Sequence, residues 1–144
     1  MDHAEIGALL RRHVEAENAH DLERTLATLH PDCVFEDVAF GQVWRGHEGA
    51  ARHYRQWWDA FGLQFREGEA GALHRSGDGT VIAEGRFAGR HVGMFHGLAP
   101  TGRAVDFRFV VVVGFRDGLM AGERFFYDRA TLAQQLGAGP AWPA

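Results

Sequence analysis

The stretch Phe107-Arg108-Phe109-Val110-Val111-Val112-Val113 decides the fold class. Aromatic and β-branched residues suit a pleated backbone, so it reads as the middle of a strand over about 103–116. Its second half is apolar on both faces. An antiparallel strand normally keeps one face wet, so this one is expected to be covered twice. One cover is a layer of helices with a pocket beneath it. The other is a second copy of the chain, which predicts a homodimer through the outer sheet face. Working outward, Asp117-Gly118 supplies a turn into a strand over 119–127. Upstream, Ser76-Gly77-Asp78-Gly79 turns between strands over 64–74 and 80–95.

Nearer the N-terminus the period changes to that of helices. Ile6, Leu9, Leu10 and Val14 predict an amphipathic helix over about 3–17. Asp21 can cap a second helix carrying Leu22, Leu26 and Leu29, which Pro31 ends. Cys33 to Phe40 reads as a first strand, 41–46 as a loop, and Ala50, Ala51, Tyr54, Trp57, Trp58 and Phe61 as a third helix. Leu132 and Leu136 suggest a short last helix. Helices first and hairpins afterwards imply an α+β domain over 1–137 with a curved antiparallel sheet, then a tail over 138–144.

Composition narrows the function classes. The 144 residues carry a formal charge of −4, and all fifteen cations are Arg, without the clustered basic face that nucleic acid requires. Cys33 is the single cysteine, so no internal disulfide forms, and the first twenty residues contain no apolar core of a signal peptide. No apolar run approaches the roughly 20 residues that a membrane helix needs. The expectation is a cytoplasmic protein with no membrane or nucleic-acid partner. Nine histidines raise the question of a metal, but none is paired at zinc-motif spacing with a third ligand nearby, so no metal is expected.

Gly89-Arg90-His91-Val92-Gly93-Met94-Phe95-His96-Gly97-Leu98-Ala99-Pro100-Thr101-Gly102-Arg103 resembles the signature segment of SnoaL-like polyketide cyclases, approximately G-T-H-x-G-x-F-x-G-x-x-P-T-G-R, with Arg90 in place of Thr. Asp117-Gly118, then Phe126-Tyr127-Asp128, then Gln135-Leu136-Gly137 resemble that family's closing pattern. The resemblance spans about residues 20–137. It implies a cone-shaped, cystatin-like α+β barrel of the kind shared with nuclear transport factor 2 and ketosteroid isomerase. It also implies an ester-cyclase activity: ring closure by intramolecular aldol condensation without metal or cofactor, using an Asp near the end of the last strand. Asp128 stands there. Met120-Ala121-Gly122-Glu123-Arg124 departs from the I-x-E-H-W that many members carry at this point.

Asp128 follows Phe125, Phe126 and Tyr127. A carboxyl desolvated among aromatic rings has a raised pKa and can give and take protons near neutrality. Equally, it can cap the helix beginning at Arg129. Glu36 and Asp37 are adjacent on the first strand, so at most one faces the pocket. The segment Phe35-Glu36-Asp37-Val38 resembles the strand on which ketosteroid isomerases place their base, with Asp37 at the matching position; otherwise the two are solvated or paired with Arg45 or Arg52. His91 shares a face with Gly89 and Gly93, which would let a flat ligand approach, or it is a structural histidine bonded to backbone. Tyr54, Trp57, Trp58 and Phe61 form an aromatic stripe that is either core or the wall of a ligand pocket, with Phe95, Phe107 and Phe109 contributing from the sheet.

The reading is a cyclase acting on a hydrophobic polycyclic or ester substrate. Asp128 would be its acid and base, and His91 and Asp37 would orient the substrate. An isomerase or hydrolase based on Asp37, and a binding protein without chemistry, are the alternatives.

Overall fold

A computed structural model describes residues 1–66 and 73–143. Helix α1 (His3–Asn18) begins at a reciprocal cap. The Asp2 carboxylate accepts from the Glu5 N–H at 2.8 Å, and the Glu5 carboxylate accepts from the Asp2 N–H at 2.7 Å. Helix α2 is shorter than expected, Leu22–Leu26, capped by Asp21. Leu29 belongs instead to strand β1 (Leu29–Asp37), and Pro31 lies within that strand, exposed, beside a register shift between Leu29 and Val34. A proline without an N–H is tolerated where ladder pairing is already broken.

The expected loop over 41–46 contains a further strand, β2 (Gln42–Arg45), whose tight antiparallel pairing with β1 leads directly into helix α3 (Gly46–Phe61). Beyond α3 come β3 (Gln64–Phe65), β4 (Leu73–Arg75), β5 (Val81–Arg90), β6 (Ala104–Arg116), β7 (Leu119–Tyr127) and α4 (Arg129–Leu136). The expected strand over 64–74 is thus seen as β3 and the start of β4, and its middle lies outside the described residues. The expected strand over 80–95 ends at Arg90.

Strands run in the order β2-β1-β7-β6-β5-β3, with β4 also on β5. Every pair is antiparallel except β1 with β7, which run parallel. The curved sheet wraps α1 and α3, and its concave face supplies the core with Phe35, Phe87, Phe107, Phe109 and Phe125. No helix among the described residues is long and apolar enough to cross a membrane.

Two irregularities position the site. At the start of β7, Gly114 pairs with Gly122 while Phe115 pairs with Met120, so Ala121 is one residue in excess. This bulge changes the parity of the strand. Met120 faces the core before it, and Glu123 and Phe125 face the core after it. The end of β5 and the segment after it are the second. Gly89 on β5 and Gly93 beyond it lie where a Cβ would run into the carbonyl oxygens of Phe61 and Asp59, and the N–H groups of Val92 and Gly93 donate to the Ala60 carbonyl at 2.8 and 3.0 Å. These glycines admit the end of α3, not a ligand.

The residues beyond α4 also pack. The Trp142 ring lies 5.6 Å from that of Phe40, and its indole N–H donates to the His96 carbonyl at 3.0 Å.

Candidate functional site

Between α1, α3 and the concave sheet lies a cavity of about 200 Å³. Its walls are aromatic: Trp57 and Trp58 from α3, Phe65 from β3, Phe87 from β5, Phe109 from β6 and Phe125 from β7. Five ionisable or hydroxyl-bearing side chains also line it: His13 and Glu17 from α1, His53 and Tyr54 from α3, and Glu123 from β7. Glu84 borders the cavity through its backbone strand, while its side chain lies on the outer face of β5, opposite Val110.

The proton positions around His13 follow from its partners. The Thr28 hydroxyl donates to the Thr25 carbonyl at 2.6 Å, so toward His13 Nδ1, 2.8 Å away, it must accept. That assigns the proton of the neutral ring to Nδ1. Nε2 then accepts from the Tyr54 hydroxyl at 3.1 Å, with a Glu17 carboxylate oxygen 3.4 Å from the same nitrogen. A second proton on Nε2 would sit against Glu17. Burial opposes charge on His13, but the hydrogen bond and charge of Glu17, with the charge of Glu123, outweigh it and raise its pKa.

Glu123 responds in the opposite way. Burial against the aromatic wall penalises its anion and pushes its pKa up to about 7; His13 opposes the rise and Glu17 adds to it. Tyr54 is held well above the ordinary phenol range, first by burial and then by Glu123 and Glu17, so it stays a neutral donor. His53 is pushed down to about 4 by burial and by His13, and is neutral at physiological pH. Its Nδ1 has no hydrogen-bond partner among the described residues.

Of the residues expected from sequence, Tyr54, Trp57, Trp58 and Phe109 line this cavity. Phe61, Phe95 and Phe107 are buried behind it, with Phe95 and Phe107 4.8 and 5.9 Å from the Trp57 ring. Glu36 does not reach it, since it lies on the opposite face of β1 from Phe35 and Asp37.

His91 is fully buried under Phe61, with Nδ1 accepting from the Thr101 N–H at 3.1 Å. Its role in the structure is to hold the 91–103 segment, and burial lowers its pKa. Asp37 is also fully buried. It accepts from the Tyr127 hydroxyl at 3.0 and 3.1 Å and from the Phe40 N–H at 3.1 Å. Burial raises its pKa against these bonds. It lies outside the cavity lining, and its Tyr127 partner packs 5.4 Å from the Trp57 ring.

For Asp128 the expected desolvation is corrected. β7 ends at Tyr127, and Asp128 stands one residue beyond, exposed, as the cap of α4. It accepts from the Ala130 N–H and the Thr131 hydroxyl, both at 2.9 Å, and bonds to Thr131 and Ala130 hold its carboxyl below the usual range instead of raising it. Replacing Asp128 by Ala is therefore expected to lower the thermal midpoint through loss of the cap while leaving proton transfer in the cavity at the parental rate. A collapse of that rate in a folded Asp128→Ala protein would restore the catalytic assignment.

The sequence reading passed over His13, Glu17, His53 and Glu123. Three of them carried a signal. His13 and Glu17 continue the apolar stripe Ile6, Leu9, Leu10 of α1, and His53 lies one turn before Trp57 on the buried face of α3. Polar side chains in phase with a core stripe are the mark of a wet or reactive interior. Among the described residues no group of three or more His, Cys, Asp or Glu is placed to hold a metal ion.

Residues 7–136 match the model of a family described as SnoaL-like polyketide cyclase. Solved structures share the whole architecture. TsrD from Streptomyces laurentii superposes with a TM-score of 0.81 at 28% identity, covering 96% of this chain and 99% of its own. A proposed polyketide cyclase from Xanthomonas campestris gives 0.81 at 21% identity over 92% and 97% of the two chains. AclR, a proposed hydroxylase from Streptomyces galilaeus, gives 0.78 at 24% identity over 96% and 89%. No curated protein matches the chain.

Proposed function

The chain belongs to the SnoaL-like polyketide cyclase family, and from that premise we propose that it is a cofactor-independent acid/base enzyme acting on a hydrophobic substrate in the α1–α3 cavity. The observation that carries this is the inward placement of Glu123 on the aromatic wall of the cavity that His13 and Glu17 also line, where burial pushes its pKa up to about 7. A group poised near the operating pH is half ionised and transfers protons in both directions.

In the aldol version of the chemistry, the Glu123 carboxylate removes a proton from the carbon next to a substrate carbonyl. The carbanion attacks a second carbonyl of the same molecule and forms the ring C–C bond. The resulting alkoxide takes a proton from the Tyr54 hydroxyl, which is replenished by protonated His13 through the 3.1 Å bond between them. Glu17 stabilises the imidazolium, and Thr28 fixes the ring orientation. An isomerase would use the same first step and return the proton to a different carbon.

The test is deuterium uptake at the α-carbon of a hydrophobic β-keto ester, with Glu123→Gln and Asp37→Asn compared separately. Loss in the first variant and retention in the second supports this reading. The reverse pattern would transfer the base to Asp37, a second reading favoured by its buried, raised carboxyl and its Tyr127 partner. Saturable binding with no exchange in any form would make the protein a carrier for its ligand.

We also propose that the chain pairs through its outer sheet face. Val110 and Val112 stand half-buried there on β6, with Phe126 opposite Val110 on β7 and Ile82 opposite Val112 on β5. Val110→Glu is expected to leave a monomer in light scattering. A parent protein already monomeric at micromolar concentration overturns the pairing.

A further inference from the structure

We propose that the ligand of the α1–α3 cavity is a one- or two-ring aromatic molecule carrying a protonated amine, its ring against Trp57 and Phe109 and its ammonium at Glu17 and Glu123. This rests on the reading of the cavity as the reaction site and adds the chemical class of what enters it.

Charge favours a cation. Two carboxyl groups of the described lining face the cavity, Glu17 and Glu123, and no arginine does, although all fifteen cations of the chain are Arg. The other ionisable lining groups do not balance the acids. His53 is neutral at physiological pH, Tyr54 is a neutral phenol, and the proton that His13 can carry is already matched by Glu17. Among the described residues Glu123 has no hydrogen-bonded or ion-paired partner. A ligand carboxylate would face Glu123 and Glu17, whereas an ammonium would donate to both and relieve the cost of keeping Glu123 ionised.

The aromatic walls act in the same direction. Indole and phenyl faces attract cations through their quadrupoles, and an aromatic lining with carboxylates at one end is the chemistry that recognises organic ammonium ions. His53, 4% exposed and part of the lining, has its buried Nδ1 without a hydrogen-bond partner among the described residues.

Volume sets the size. An apolar cavity of about 150 Å³ accommodates a single benzene ring. The cavity of about 200 Å³ therefore takes one ring or a compact fused pair, and a four-ring polyketide would project from it.

The experiment is calorimetric titration of the parent protein with three probes of one shape: naphthylethylamine, naphthylethanol and naphthylacetate. At mildly alkaline pH, where Glu123 is ionised and the amine is still protonated, the amine is expected to bind roughly tenfold more tightly than the alcohol, and the carboxylate far more weakly than either. In Glu123→Gln and in Glu17→Gln the amine-to-alcohol ratio should fall toward one. The ratio is read within each protein, so a general loss of folding does not imitate it. Equal binding of amine and alcohol by the parent, or preference for the carboxylate, overturns the inference and leaves the acid/base reading standing. No binding by any of the three overturns both.

Discussion

Glu123→Gln is expected to slow α-proton exchange by about 100-fold or more, the ordinary contribution of a positioned general base. Glutamine keeps the shape of the side chain and its hydrogen-bonding oxygen but removes the titrating proton. In the parent protein the rate should rise as pH passes through about 7, where the Glu123 anion forms. In the variant that limb should vanish, leaving the flat residual rate of the cavity. A variant whose pH profile keeps the same ascending limb at the same midpoint would show that another group is the base.

The same substitution has an opposite effect on stability, and the sign follows from linkage. Folding raises the pKa of Glu123 from its ordinary 4.5 to about 7, so between those values the native state binds more protons than the unfolded chain. Stability therefore falls as pH rises through this window, and above it the full penalty of the buried anion is present. Glutamine carries no such penalty. Glu123→Gln should match the parent at acid pH and exceed it in mildly alkaline solution by roughly 1–3 kcal/mol, read from urea midpoints at the two pH values. Opposite movements of activity and stability in one variant would mark a residue retained for chemistry.

The second large effect is expected at Gly122. It has φ +132°, a conformation that side-chain-bearing residues rarely adopt, and a Cβ there would overlap the carbonyl oxygen of Val34 on the parallel neighbour β1. Neither strand can yield, because Val34 and Gly122 are register partners at the point where β1 and β7 close against each other. Gly122→Ala should cost about 3 kcal/mol or more. Any folded protein recovered should also lose the raised midpoint of the exchange profile, since the bulge that turns Glu123 inward would have been rearranged. An alanine variant with parental stability and an unchanged profile would disprove this account of the bulge.

The order of elements was legible in the sequence because period and punctuation are local. The period-two run from Val105 to Val113, the turn at Asp117-Gly118 and the stripes of α1 and α3 each carry their own signal within a few residues. They are sufficient to specify an α+β domain with a hairpin sheet. The signature segment added the family. Tyr54, Trp57, Trp58 and Phe109 could be named as pocket residues for the same reason: they fall on faces that the period alone directs inward.

The acid/base groups were not legible, and the reason lies in β7. On an unbroken strand, counting by twos from Met120 directs Arg124 and Phe126 inward and Glu123 to solvent. Ala121 in excess reverses the count, and only the pairing of β7 with β6 and β1 reveals it. Asp128 has the complementary history. Sequence placed it at the end of an aromatic strand, but the strand ends at Tyr127 and Asp128 turns out to cap α4. Burial of a charge is likewise a tertiary quantity. His13, Glu17 and Glu123 lie on two elements more than a hundred residues apart in the chain, and their pKa values shift because the fold brings them together in an enclosure that water cannot freely fill. The sequence by itself determined which elements form and which faces are apolar. The tertiary structure decided which polar groups those faces enclose.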